Sequence, residues 1–303
     1  MILKRFASSL VEPKSPVIAS GLRGNVSSIP GPRSKAEMKV LNGIQDARTV
    51  FFVSDLLKSQ GNYIADIDGN LFLDMHCMIA SIAVGYNHPR LLEEAKSELW
   101  SRVLLNRPAL GLVPPQAGWI DSLVSRDGGG SSSSHVGLMD VAPKGLKNVF
   151  TAMCGSCANE IALKAAFMHL GQQLRQGSDV TTLPDLMTSC MKNEAPGSPD
   201  FAVLSFEGGF HGRLFGSLSL TRSKAIHKVD IPAFGNWPAA PFPRIRYGRS
   251  PGEYEAENAA EEARCLEATE VILKTRNEKG KGSRIAAMIV EPIQGEGGGE
   301  RIG

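Results

Sequence analysis

The chain has 303 residues, with 33 basic against 31 acidic side chains, a formal charge of +2, 42% hydrophobic residues and 21% charged ones. That length sustains one large domain or two smaller ones, and the composition is that of an ordinary globular protein. The near-neutral charge gives no reason to expect nucleic acid or a membrane surface as a partner, and no apolar run approaches the ~18 residues of a spanning helix.

Residues 1–28 read as a leader or extended arm, rich in Ser, Pro and Gly. Ile2, Leu3, Phe6 and Leu10 share a helical face beside Lys4 and Arg5, with no acid among them. This is similar to a mitochondrial transit peptide, and equally to a frayed basic terminus. A helix is expected from Lys35 to Arg48, with Met38, Leu41 and Ile44 on one face. Asn62–Asp68 and Leu71–Met75 read as strands joined at Asp68-Gly69-Asn70, because glycine tolerates the positive φ of a tight turn. Pro89 to Arg102 reads as a helix, with Leu91, Leu92, Ala95 and Leu99 spaced for burial.

Residues 126–140 hold a glycine run and four successive serines, Ser131 to Ser134. Such a stretch buries too little apolar area to offset its ordering entropy, so a flexible surface loop is expected. Beyond it, Val149–Met153, Phe201–Phe206 and Ile285–Val290 read as strands. Helices are expected from about Ala158 to Leu174 and from Glu253 to Thr275. Strands alternating with helices predict an α/β fold, a mostly parallel sheet with helices on both faces.

Five cysteines, an odd number spread over a long chain, are no secreted disulfide framework and point to a reducing interior. Only Cys154 and Cys157 have a suggestive spacing. Two thiolates are too few for a closed metal site, which leaves inert thiols, a redox pair or half of a site shared between subunits.

The Cys154-Gly155-Ser156-Cys157 turn is expected to end a strand and open a helix, where free amides and the dipole favour an anion. Gly155 permits close approach, and Ser156 can cap the helix or donate to a phosphate; a plain capped helix start is the alternative. Phe210-His211-Gly212-Arg213 follows a strand, where such sheets carry ligand sites. Phe210 offers a flat face and Arg213 a fork that matches a carboxylate. Glu291 and Glu296 stand past the third strand, at the carboxyl edge of the sheet or as solvated loop charge.

Together these segments resemble the class III (omega) aminotransferases, and within them the 4-aminobutyrate type. The resemblance runs from Ile29-Pro-Gly-Pro-Arg33 to Gly298. It rests on Gly61–Asn70, Val84–Pro89, Asn106–Gly111, Ala142–Gly145, the Cys154 turn, Phe210–Arg213, Ser223–Pro232 and Glu291–Gly298. It implies a type I pyridoxal-phosphate fold, with residues 29–90 contributing to the small domain and 91–303 forming the first part of the large one.

By the same resemblance, Gly155 and Ser156 would hold the phosphate of pyridoxal 5′-phosphate. Phe210 and His211 would contact the cofactor, with Phe210 stacked on its ring. Arg213 would bind the substrate carboxylate, Ile79 would line the pocket, and Glu296 would pair with a distant arginine. Cys154 and Cys157, with a second copy of themselves, would hold a [2Fe–2S] cluster in a homodimer. The implied reaction moves the amino group of 4-aminobutyrate to 2-oxoglutarate, in the mitochondrial matrix or, alternatively, the cytoplasm. An ornithine-type donor and a non-catalytic dimerising chain are the rival expectations. The family's ring-nitrogen aspartate and Schiff-base lysine match nothing before Gly303, so this stretch alone is expected not to transaminate.

Overall fold

The computed structural model describes residues 28–106, 138–278 and 283–298. Residues 1–27 of the leader expected over 1–28, residues 107–111 of the Asn106 motif and 126–137 of the expected loop lie outside them. The chain divides into two compact units, Met1–Asn148 and Val149–Gly303.

In the first unit, helix α1 spans Pro32–Asn42. It is shorter than expected, because Gly43 closes it by returning its N–H to the last carbonyls. The expected hairpin forms, with strands shorter than expected: β1 (Tyr63–Ala65) and β2 (Leu71–Leu73) pair antiparallel, with Ile64 opposite Phe72. Gly69 takes φ +91° in the turn, and the Asp66 carboxylate pins Asn70 through its N–H and its amide, each at 2.7 Å. Asp68 reaches back to the backbone N–H groups of Arg33 and Ser34, capping α1 from a distance.

Two expectations fail in this unit. The single helix from Pro89 is two: α2 (Pro89–Ala95) and α3 (Glu98–Leu105). Ser97 breaks it by taking an extended backbone and accepting the Trp100 N–H, so a capping preference overrides the periodicity. Leu91, Leu92 and Leu99 are exposed rather than buried, since no described element of this unit covers that face. Cys77–Ala80 forms one left-handed turn, with φ between +49° and +59°. Each such residue costs ~1–2 kcal/mol, and Ile79 is held in this strained turn.

In the second unit, α4 spans Gly155–Leu174. Ala158, Ala162, Ala165 and Ala166 give it high intrinsic propensity, and Leu163 is buried, with Phe167 beside it. After α5 (Pro184–Cys190) come β3 (Phe201–Phe206), α6 (Phe215–Leu220), β4 (Ala239–Ala240), α7 (Glu255–Asn277) and β5 (Arg284–Met288). The sheet runs β4-β3-β5, with both pairings parallel. Ala202 to Ser205 on the central strand are all fully buried, so both its faces are covered. Trp237 seals one side. It stacks on Phe234 at 4.6 Å, packs against Phe167 at 5.8 Å and donates its indole N–H to the Phe201 carbonyl.

Helix α7 carries Glu255 and Glu257 in its first turn and Lys274 and Arg276 in its last, which complements its dipole. The strand expected over Val149–Met153 does not form. A strand exists through its ladder, and this segment has no ladder partner among the described residues; Phe150 and Met153 are largely exposed. Within the expected 126–140 loop, the described end forms a 3₁₀ turn, Leu138–Val141.

Candidate active site

The phosphate-type turn stands as the sequence predicts in one respect and differs in another. Cys154 is extended, and the helix begins at Gly155, so Ser156 lies inside the first turn and does not cap it. Cys154 makes no side-chain capping bond. The backbone N–H groups of Cys157 and Ser156 nevertheless face the Cys154 sulfur and hold its pKa below the ordinary value, the preference for negative charge that a helix start gives an anion, and a side chain at Gly155 would meet open space.

The next turn of α4 grips the loop after β3. Asn159 donates to the His211 carbonyl at 2.7 Å, and Glu160 accepts the Ser217 N–H at 2.7 Å. Gly212 takes φ +118° and lies against the Ser156 and Ser217 hydroxyls, where no Cβ would fit. Phe210–Arg213 is thereby fastened beside Ser156. His211 is turned inward and 6% exposed, with its N–H donated to Thr221 Oγ1. Its Nε2 has no hydrogen-bond partner, and burial pushes its pKa down against the pull of Glu291. Arg213 is exposed and makes no hydrogen bond or ion pair among the described residues.

The two glutamates past β5 are not solvated loop charges. Glu291 Oε2 accepts the Phe210 N–H at 2.8 Å, and its Oε1 accepts the Gly295 N–H at 2.9 Å. Glu296 receives the Ser223 hydroxyl at 2.6 Å and meets His227 Nε2 at 2.7 Å, with Lys224 at 3.7 Å. Burial alone would raise its pKa; Ser223, His227 and Lys224 outweigh burial and hold the carboxylate below its ordinary range. The Phe210 ring meets His227 edge-on at 5.7 Å.

Cys154 and Cys157 lie with sulfurs 3.6 Å apart, the first exposed and the second half-buried. Two sulfurs on one tetrahedral metal at ~2.3 Å would stand about 3.8 Å apart, so the pair fits one edge of such a site. Among the described residues no group of three or more His, Cys, Asp or Glu could close it.

This geometry has matching relatives. A family model described as aminotransferase class-III matches residues 44–301. The chain belongs to the class-III aminotransferase family. It is 51% identical over 270 residues to a 4-aminobutyrate aminotransferase of Dictyostelium discoideum, covering 89% of this chain and 50% of that protein. It is 46% identical over 271 residues to a mitochondrial 4-aminobutyrate aminotransferase of Mus musculus, again 89% and 50%. The solved lysine aminotransferase of M. tuberculosis superposes with a TM-score of 0.63 at 28% identity, covering 87% of this chain and 52% of that one. The fold is thus the type I pyridoxal-phosphate fold of the aminotransferases. The chain spans about half the length of the curated relatives it matches.

For a class-III aminotransferase, the second unit gathers Gly155, Ser156, Phe210, His211, Arg213 and Glu296 into one region. Ile79 belongs to the first unit, in its left-handed turn. Asn159, Glu160, Ser223 and His227 join this region with no role that the sequence alone assigns them. The signal was spacing: Asn159 and Glu160 follow Ser156 by one helical turn, and His227 follows Ser223 by four residues.

Proposed function

We propose that this chain forms the cofactor and carboxylate cradle of a 4-aminobutyrate:2-oxoglutarate aminotransferase. The observation that carries this reading is the grip of Asn159 and Glu160 on the 210–217 loop, which sets Phe210 and Arg213 beside an uncapped helix start. Family membership and the names of the relatives support the same substrates.

The residues suit pyridoxal phosphate. The first-turn amides of α4 and the Ser156 hydroxyl would take the phosphate, and the Phe210 ring would cover the pyridine face. The Nε2 of His211 is a buried polar atom with no hydrogen-bond partner. When bound, the cofactor supplies the electron sink for amino transfer. Arg213 would hold the substrate carboxylate by two parallel hydrogen bonds and so orient the amino end. Glu296 would screen the distant arginine while the substrate has one carboxylate. By the family resemblance Ile79 would be a substrate-binding residue, and residues 29–90 would contribute to the small domain, with 91–303 forming the first part of the large one.

Two copies of the chain would bring Cys154 and Cys157 together as four thiolates around a [2Fe–2S] cluster. A mitochondrial location rests on the basic N-terminus and on the name of the mouse relative.

Binding and turnover test this reading separately. Pyridoxamine 5′-phosphate is expected to bind this chain saturably and to compete with inorganic phosphate, and Ser156→Asp to abolish binding by like-charge repulsion. Turnover with 4-aminobutyrate against ornithine, on this chain and on any longer protein containing it, assigns the donor. Faster transfer from ornithine would overturn the substrate assignment.

A further inference from the structure

Four contacts close a circuit along one side of the site. The Phe210 N–H is held by Glu291 Oε2, and Glu291 Oε1 holds the Gly295 N–H. The neighbouring Glu296 meets His227 Nε2 at 2.7 Å. The His227 ring returns to Phe210 with centroids 5.7 Å apart and planes at 70°. His227 touches both functional ends of this circuit. Its own place is fixed independently: it ends the 3₁₀ turn Ala225–His227, and the next residue, Lys228, donates to the carbonyls of Leu218 and Thr221.

We propose that His227 is a positioning residue that fixes two groups at once, the Phe210 ring on the cofactor side and the Glu296 carboxylate on the substrate side. This rests on the roles proposed above for Phe210 and Glu296. An imidazole suits the task because one flat side chain presents an aromatic ring and a hydrogen-bonding nitrogen. Ser223 takes the other carboxylate oxygen, so Glu296 is bracketed from both sides. A ligand whose second carboxylate displaces Glu296 must break this bracket, and the support under Phe210 loosens in the same event. Recognition of one or two carboxylates is thereby tied to the cofactor platform.

Two variants separate the halves. His227→Phe keeps a ring for Phe210 and removes the nitrogen; His227→Gln keeps an amide donor for Glu296 and removes the ring. Two measurements are made on the purified chain: the Kd of pyridoxamine 5′-phosphate by fluorescence, and the titration of the ¹³C-labelled Glu296 carboxyl by NMR without cofactor. His227→Phe is expected to bind within about twofold of native, while its Glu296 titrates at higher pH than native. His227→Gln is expected to keep the native Glu296 titration and to bind about three- to tenfold more weakly, the worth of one aromatic pair. Native values throughout in both variants, or parallel loss of both properties in both, overturns the proposal. If the native chain fails to bind, the reading of the site fails instead. The cofactor-free titration then decides, and an unshifted Glu296 in His227→Phe overturns the proposal.

Discussion

Glu160 Oε1 accepts the backbone N–H of Ser217 at 2.7 Å, so a side chain of α4 caps the start of α6. A helix start leaves N–H groups unpaired, and a carboxylate satisfies one while complementing the dipole. Gly216 makes this contact possible, because a methyl there would collide with the same carboxylate. The bond joins the phosphate-side helix to the loop that carries Phe210 and Arg213.

Removing that carboxylate is expected to show in stability first. Ser217 is fully buried, so Glu160→Ala leaves its N–H without a partner. The expected cost is roughly 1–3 kcal/mol, read as a lower denaturation midpoint, with Glu160→Gln recovering most of it. A native midpoint in the alanine variant would show that the bond contributes nothing.

Gly212 sets a stricter condition. Its φ of +118° disfavours any side chain, and a Cβ would press on the Ser156 and Ser217 hydroxyls. Gly212→Ala is expected to destabilise the chain by roughly 1–3 kcal/mol and to weaken pyridoxamine phosphate binding, since the loop must lift away from Ser156. Thermal melting with and without ligand measures both.

The buried imidazole of His211 gives a pH dependence with a definite sign. Burial lowers its pKa below the ordinary 6.5. Above that value both folded and unfolded chains carry it neutral, and its stability contribution is complete. As pH falls below 6.5 the unfolded chain takes up a proton that the folded chain resists, so stability drops. His211→Asn is expected to flatten this acid limb in urea titrations at about pH 7.5 and about pH 5.5. An unchanged slope would place the proton elsewhere.

Arg213 separates binding from folding. The residue is exposed and makes no hydrogen bond or ion pair among the described residues. Arg213→Lys is expected to change stability by less than about 0.5 kcal/mol. Monocarboxylate affinity should fall about ten- to a hundredfold, because an ammonium cannot reproduce the paired bonds. Calorimetric titration with butyrate on the cofactor-loaded chain reads the second effect.

The thiol pair makes a compositional prediction. Anaerobically purified protein is expected to carry one [2Fe–2S] cluster per two chains, and Cys154→Ser to remove both iron and acid-labile sulfide. Iron that survives this variant would dissociate the cysteines from any cluster.

By itself the sequence determined the parts whose cause is local. The Asp68-Gly69-Asn70 turn, the apolar run Phe201–Phe206 and the alanine-rich α4 each carry their own propensity, and each formed where expected. The functional residue types were legible for the same reason: a glycine–serine helix start and an aromatic–arginine loop declare their chemistry in a few adjacent letters. Tertiary structure decided everything that depends on a partner far along the chain. Val149–Met153 reads as a strand and is none, because strand pairing is a property of two segments. Whether Glu291 and Glu296 were site residues or loop charges stayed open in the sequence, and Phe210, Ser223 and His227, some 70 to 80 residues away, supply the groups that fix them. Hydrophobic period and capping preference act within one or two turns of chain. A hydrogen bond across such a separation exists only after the sheet has brought its ends together, and the roles of Asn159, Glu160 and His227 became visible at that step.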